Sequence, residues 1–408
     1  MEKKLKNHTP LYFQILLVIY VIHTSMPIVG YYTPVAINVL LLFLLYSFLI
    51  ANNKFFFKDL LLVLPVYSIA FVSLLLGDYD NISIWIYTFI QKLIYTLIAL
   101  YLIRHGEKKI IKRIFYVIMF SYIVTCVTTY IGCINFPGAS RLLAKGLKEE
   151  PALYALLMNS NVGGFNFIYT LVLFTPVVLF IMREKMESRL LCGAILFLFA
   201  VVIITSEYAT ALIGFLLAFI SLFFHNNLKI KHLVFLSVFL LAVYYAGGKT
   251  LIGHSFEYLA DNVESEMVSN RLHNLSVGIL EGENKLEGDV EARMDYYQMS
   301  LDAFLENPIT GSRTAELGGH SYILDKCARY GILGIAAIII MLLRLYKLFY
   351  KPYVSHNFYG SIIFTYLISI LFMFVNTKAN LMVTSFLIPL FIISYKQNNY
   401  DYENSLGR

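Results

Sequence analysis

The chain has 408 residues, of which 59% are hydrophobic and 14% charged. A soluble globular exterior needs far more polar surface than this, so a water-soluble protein is excluded and lipid must be part of the solvent. The net charge of +6 does not argue for nucleic acid, because the basic residues gather at one set of predicted helix ends, where anionic headgroups are sufficient partners.

In chain order, apolar runs predict membrane spans at 11–29, 33–50, 59–77, 82–103, 110–132, 164–182, 190–205, 208–224, 232–247, 328–349, 358–375 and 380–395. Each is close to the ~20 residues that cross a ~30 Å hydrocarbon core. The expected fold is an all-α, polytopic membrane bundle of about 12 transmembrane helices. The stretch 201–220 reads either as a hairpin or as one bent segment. The first run has the charged start of a signal peptide, but 21–30 offers no small-x-small cleavage site, so it reads as a retained helix.

Orientation follows from lysine and arginine placement. With Lys3, Lys4 and Lys6 inside, the inner loops carry Lys54 and Lys58; Arg104, Lys108, Lys109, Lys112 and Arg113; Arg183, Lys185 and Arg189; Lys229 and Lys231; and Arg344, Lys347 and Lys351. The short outer loops at 30–32, 78–81 and 205–207 carry none, as the positive-inside rule requires. Both termini are expected in the cytoplasm. The resulting organisation is an N-terminal transmembrane bundle at 1–247 with an outer loop at 133–163, a large extracytoplasmic loop at 248–319, C-terminal spans at 320–395, and a cytoplasmic tail at 396–408.

A loop as long as 248–319 is uncommon unless it is functional or disordered. Within it, Met294, Tyr297, Leu301, Phe304 and Leu305 share one face of a predicted helix at 291–307. Asn307-Pro308 ends that helix and Gly311 supplies a turn, while 281–289 is polar. The loop carries 13 acidic residues against Lys249, Arg271, Lys285, Arg293 and Arg313, so its arginines stand out.

Other polar signals are scattered. Asp78-Tyr79-Asp80 fits a turn between spans, Lys92 sits well inside the fourth span, and Glu207 lies near the outer face. Cys126 and Cys192 fall within spans, Cys133 and Cys327 near the outer face, and no pair has metal-ligand spacing. Neither metal nor cofactor is expected.

The densest constellation runs from His320-Ser321 through Asp325, Arg329, Gly331 and Gly334. A histidine opens it where the chain re-enters the bilayer. Asp325 and Arg329 are four apart, the spacing of a helical ion pair, and the glycines permit close approach of a neighbour. This stretch resembles the signature of the bacterial O-antigen ligase and polymerase family: His, then Asn, Ser or Gln, nine residues, Gly, two residues, then Gly, Thr or Val. Upstream, Arg293-Met-Asp-Tyr-Tyr through Asn307-Pro308-Ile309-Thr310-Gly311 is similar to another family segment. So is Arg141 with Asn159-Ser160-Asn161 and Gly163-Gly164. At the outer turn, where many members show Thr-x-Ser-Arg, this chain has Thr205-Ser206-Glu207-Tyr208.

The resemblance implies a fold like that of the lipid-donor (GT-C-like) glycosyltransferases. It also implies metal-independent glycosyl transfer from an undecaprenyl-pyrophosphate-linked saccharide on the outer face of the cytoplasmic membrane. The leaving pyrophosphate needs fixed positive charge, which an arginine fork supplies; Arg293 and Arg141 are expected there, with Arg313 and Arg271 in reserve. The acceptor hydroxyl needs a base, a role that falls to His320. Glu207 and Asp325 are candidate acceptor contacts. The leading expectation is a polysaccharide polymerase, because Leu324-Asp325 through Ala328-Arg329-Tyr330-Gly331 resembles the capsule-polymerase version of the motif. Alternatives are a ligase using the same donor and, from another class, a flippase or transporter. Expected partners are lipid-linked donor and acceptor, membrane lipid, a flippase and a chain-length regulator, with no nucleic acid.

Overall fold

The computed structural model describes residues 9–61, 64, 90, 93–102, 105, 108–145, 151–183, 188–220, 248–262, 266–281, 289–312 and 321–349. Among them every regular element is a helix. In chain order these are α1 (Leu11–Ser25), α2 (Pro27–Tyr32), α3 (Val35–Asn52), α4 (Lys108–Asn135), α5 (Ala139–Lys145), α6 (Pro151–Asn159), α7 (Phe165–Arg183), α8 (Arg189–Thr205) and α9 (Ala209–Ile220). After these come α10 (Lys249–Asp261), α11 (Glu266–Glu281), α12 (Asp289–Glu306) and α13 (Tyr322–Phe349). Shorter helical pieces lie at 56–61 and 93–102.

Three described helices are long and apolar enough to cross a membrane: Val35–Asn52, Lys109–Asn135 and Phe165–Arg183. The first predicted run is shorter than expected. It stops at Ser25, because Met26 is extended ahead of Pro27, and the proline opens α2. The stretch 201–220 is two helices in contact, joined by a turn in which Glu207 takes a positive φ of 57°. The predicted spans 232–247, 358–375 and 380–395, most of 59–77 and half of 82–103 lie outside the described residues.

The core is built around α7, whose residues 167–181 are all buried. Helices α8 and α9 pack on it, α4 packs on α8, and α1 packs on both α4 and α3. Phe174 meets Tyr122 edge-on at 5.1 Å, and Phe13 stacks on Phe48 at 3.8 Å. By contrast Leu190, Phe197, Phe43 and Phe120 are 65–85% exposed. Such large rings and aliphatics at a helix surface fit lipid as solvent. All four cysteines are free thiols.

The long loop is more helical than its composition predicts. Besides α12, it contains α10 and α11, which pack on one another, and α11 touches α12, which packs on α13. The acidic, polar sequence hid α10 and α11, although Ile252, Phe256 and Leu259 keep helical spacing.

Candidate functional site

Two clusters of polar residues are held by hydrogen bonds between distant parts of the chain. The first forms where α4, α5, α7 and α9 meet. Asn161 is 4% exposed and adopts φ 55°. Its Oδ1 accepts from the Ile28 N–H at 3.1 Å, and its Nδ2 donates to Thr125 Oγ1 at 3.1 Å and Thr128 Oγ1 at 3.3 Å. Two residues on, the Gly163 N–H donates to Thr129 Oγ1 at 2.8 Å, and the Gly163 carbonyl accepts from Ser140 Oγ at 2.7 Å. This ties the connection between α6 and α7 to α4 and to α2, and sets the position of Arg141 beside Ser140. The Arg141 guanidinium lies over the Tyr208 ring, 5.8 Å from its centroid. Tyr208 in turn donates its hydroxyl to the Ser140 carbonyl at 3.1 Å and meets Phe165 edge-on at 5.5 Å. Glu207 precedes it in the turn. Asn159 and Ser160 are exposed, so of the Asn-Ser-Asn triplet only the third residue is engaged in this clamp.

The second cluster joins α12 to α13. Ser321 is 1% exposed. Its Oγ accepts from the Leu324 N–H at 3.2 Å, so the residue after His320 is the side-chain cap of α13. One turn on, Asp325 accepts from Ser300 Oγ of α12 at 2.7 Å. Tyr297 lies close enough to Arg293 and Asp325 to feel both charges: burial raises its phenol above the ordinary range, Arg293 opposes this, and Asp325 adds to it. Lys326 was not among the residues singled out by sequence. Its ammonium is pushed down to about 8 by burial and by Arg329, with Asp325 opposing. It donates to the Tyr330 hydroxyl at 3.2 Å.

Below this cluster α13 is broken. Gly331 has φ 60° and ψ −167°, outside helical space. A break leaves orphan carbonyls before it and orphan N–H groups after it. The segment 307–312 at the end of α12 supplies both sets of partners. Ile332 N–H donates to the Pro308 carbonyl at 2.8 Å and Leu333 N–H to the Ile309 carbonyl at 3.3 Å, while the Ala328 carbonyl accepts from Ser312 N–H at 2.6 Å. The approach is too close for any side chain. A Cβ on Gly331 would sit 2.4 Å from the Ile309 oxygen, and one on Gly311 would sit 2.3 Å from the Arg329 backbone. Among the described residues, the neighbour that Gly331 admits is therefore this turn.

The structure thus sets Arg293 and Asp325 each within electrostatic reach of Tyr297, and lays Arg141 over the ring of Tyr208, the residue that follows Glu207. Arg271 falls within α11. His320 and Arg313 lie outside the described residues, as do Lys92, Asp78 and Asp80. Along α12 the deeply buried residue is a polar one. Ser300 is buried at 1%, whereas Met294 and Leu301 are 39% exposed and Leu305 is 62% exposed. Asp325 requires a donor, and it turns the polar Ser300 inward. Among the described residues no three His, Cys, Asp or Glu side chains gather as a metal site would need.

A helical membrane protein with apolar surface helices and a polar, arginine-bearing helical segment between its two apolar parts is the class defined here. Residues 193–326 match the family model described as O-antigen ligase, so the chain carries a domain of the O-antigen ligase and polymerase family. The match contains Glu207, Arg271, Arg293, Arg313, His320 and Asp325; Arg141, Gly331 and Gly334 lie outside it. No curated protein and no solved structure matches the chain. The family sets the chain in polysaccharide biosynthesis at a membrane, with lipid-linked glycans as its substrate class.

Proposed function

We propose that this protein is a polysaccharide polymerase that joins undecaprenyl-pyrophosphate-linked repeat units on the outer face of the cytoplasmic membrane. The observation that carries the reading is the Ser300–Asp325 hydrogen bond, which fastens α12, the helix that bears Arg293, to the start of α13 just after His320-Ser321 and inside the family match. In the proposed reaction the acceptor hydroxyl attacks the anomeric carbon of the donor sugar while the bond to the pyrophosphate oxygen breaks. His320 takes the hydroxyl proton. Arg293 holds the leaving pyrophosphate, assisted by Arg141, Arg313 and Arg271, because guanidinium stays charged and grips phosphate oxygens in pairs. Asp325 and Glu207 contact the acceptor sugar. Loss of a positioned base lowers rates by roughly 10²–10⁴-fold, so His320→Ala should abolish detectable polymer while the protein stays in the membrane. Arg293→Ala should do the same, and full activity in both variants removes the mechanism.

A ligase is the second reading, favoured by the ligase wording that His320-Ser321, Gly331 and Gly334 satisfy and by the description of the matched family. The decisive experiment follows lipid-linked glycan in cells lacking the protein, resolved by size and membrane side. Single units accumulating on the outer face identify the polymerase. Full-length polymer left on its lipid identifies the ligase. Single units trapped on the cytoplasmic face point to transport, and the site assignments then lose their basis. A flippase and a chain-length regulator complete the expected set of partners.

A further inference from the structure

The exposed stripe of α12 adjoins the apolar surface of α13. Met294, Leu301 and Leu305 are 39%, 39% and 62% exposed, at intervals that place them on one side of the helix, and Ile309 in the following turn is 63% exposed. That turn is hydrogen-bonded to Ile332 and Leu333, the first residues of the apolar run after the break at Gly331. Ile332 and Leu333 are each 56% exposed, and Ile339, Ile340 and Leu343 continue the row at 50–54%. The neighbouring sector of α12 is of opposite character: Asp295, Gln298, Asp302 and Glu306 line a groove in the surface. A helix with an apolar stripe flanked by an acidic one has a single favourable roll at a membrane surface, with the stripe in the acyl boundary and the carboxylates in water.

We infer that α12 and its Asn307–Gly311 turn rest on the outer leaflet, with Leu301, Leu305 and Ile309 in contact with lipid acyl chains. This extends the proposed function and rests on it in one respect: the span after Gly331 must enter the bilayer from the outside. Seating α12 this way brings Arg293 and Asp325 to headgroup level, where the pyrophosphate of a membrane-anchored donor lies. The polar sector is acidic, so the contact is made by apolar area and not by attraction to anionic headgroups; added salt should not release it.

The test uses the full-length protein in vesicles of phosphatidylethanolamine and phosphatidylglycerol containing a phospholipid with a photoactivatable diazirine on its acyl chain. Trypsin cleavage after Arg293 and Arg313 isolates the peptide 294–313. Lipid adducts on this peptide at Leu305 or Ile309, and none at Asp302, are expected. Absence of adducts here, while peptides from α3 and α7 are labelled, overturns the inference. A second measurement places an environment-sensitive fluorophore on Leu305→Cys, Ile309→Cys or Asp302→Cys in a background freed of the four native cysteines. The first two should lose most of their emission to nitroxide-bearing lipid and keep it in aqueous iodide, with Asp302→Cys showing the reverse. Quenching of all three by iodide would show a water-exposed stripe. Protection of the first two from both quenchers would show that protein covers it; either result refutes the inference. The readout is depth and not product, so a failed glycan assay would leave it standing.

Discussion

Replacing Gly331 with alanine tests the joint between the Asn-Pro-x-x-Gly turn and the broken helix. The new Cβ would lie 2.4 Å from the Ile309 oxygen and 2.7 Å from the Gly311 nitrogen, both backbone atoms that cannot swing aside. The φ of 60° with ψ −167° belongs to a region open almost only to glycine, and holding another residue there costs about 1–3 kcal/mol. If the turn backs away to relieve the clash, the bonds from Ile332 and Leu333 are lost, at ~1 kcal/mol each. The sum is about 3–5 kcal/mol, which shifts the balance between docked and undocked turn on the order of 10²–10⁴-fold. Limited trypsin digestion in detergent reads this directly, as faster cleavage after Arg313, and loss of polymer in cells should accompany it. A Gly331→Ala protein that is cleaved no faster than the natural chain and forms polymer of normal length would refute this account of the glycine.

Asn161→Ala removes the partner of the Ile28 N–H and places alanine at φ 55°; the expected cost is about 2–4 kcal/mol, seen as a lower Tm of the purified protein. Asn161→Gly should recover only the backbone share, and equal Tm values for all three would dismiss the clamp. Ser300→Ala strips a hydrogen bond from the Asp325 carboxylate and should weaken the α12–α13 contact by about 1.5–3 kcal/mol. In a double-mutant cycle with Asp325→Ala the two losses should not add, whereas additivity would mean the pair does not interact. Lys326 releases its proton at about 8 when folded but near 10.5 when unfolded. The unfolded chain therefore holds more protons between those values, and stability should rise with pH across that window. Burial raises the thiols of Cys133 and Cys327 above their ordinary 9.0, and this opposes the rise in the same range, so the contribution of Lys326 is read as a difference between the natural chain and a variant. Between pH 8 and 10 the Tm of Lys326→Met should fall relative to that of the natural chain, and equal slopes for the two would count against a lowered Lys326.

Hydropathy is a one-dimensional property, and what depends on it was legible in the sequence. The run predicted at 33–50 is the helix Val35–Asn52, and that at 164–182 is Phe165–Arg183. The loop helix expected at 291–307 is Asp289–Glu306 because Asn307-Pro308 is a local stop signal. The family motifs were likewise readable as residue spacings. Their partners were not. The Asn161 side chain finds the Ile28 backbone 133 positions away, and no spacing encodes that. Apolar spacing put Leu301 and Leu305 on one face of α12, but only the fold shows that Ser300 is the buried residue, held inward by its hydrogen bond to a carboxylate on the facing helix. Lys326 reads as an ordinary charge until Arg329, Asp325 and Tyr330 are placed around it. Composition and local signals thus determined which segments are apolar, where helices stop and to which family the central domain belongs. Only the tertiary structure decided which polar groups meet, because pairing distant backbone and side-chain groups is the work of packing.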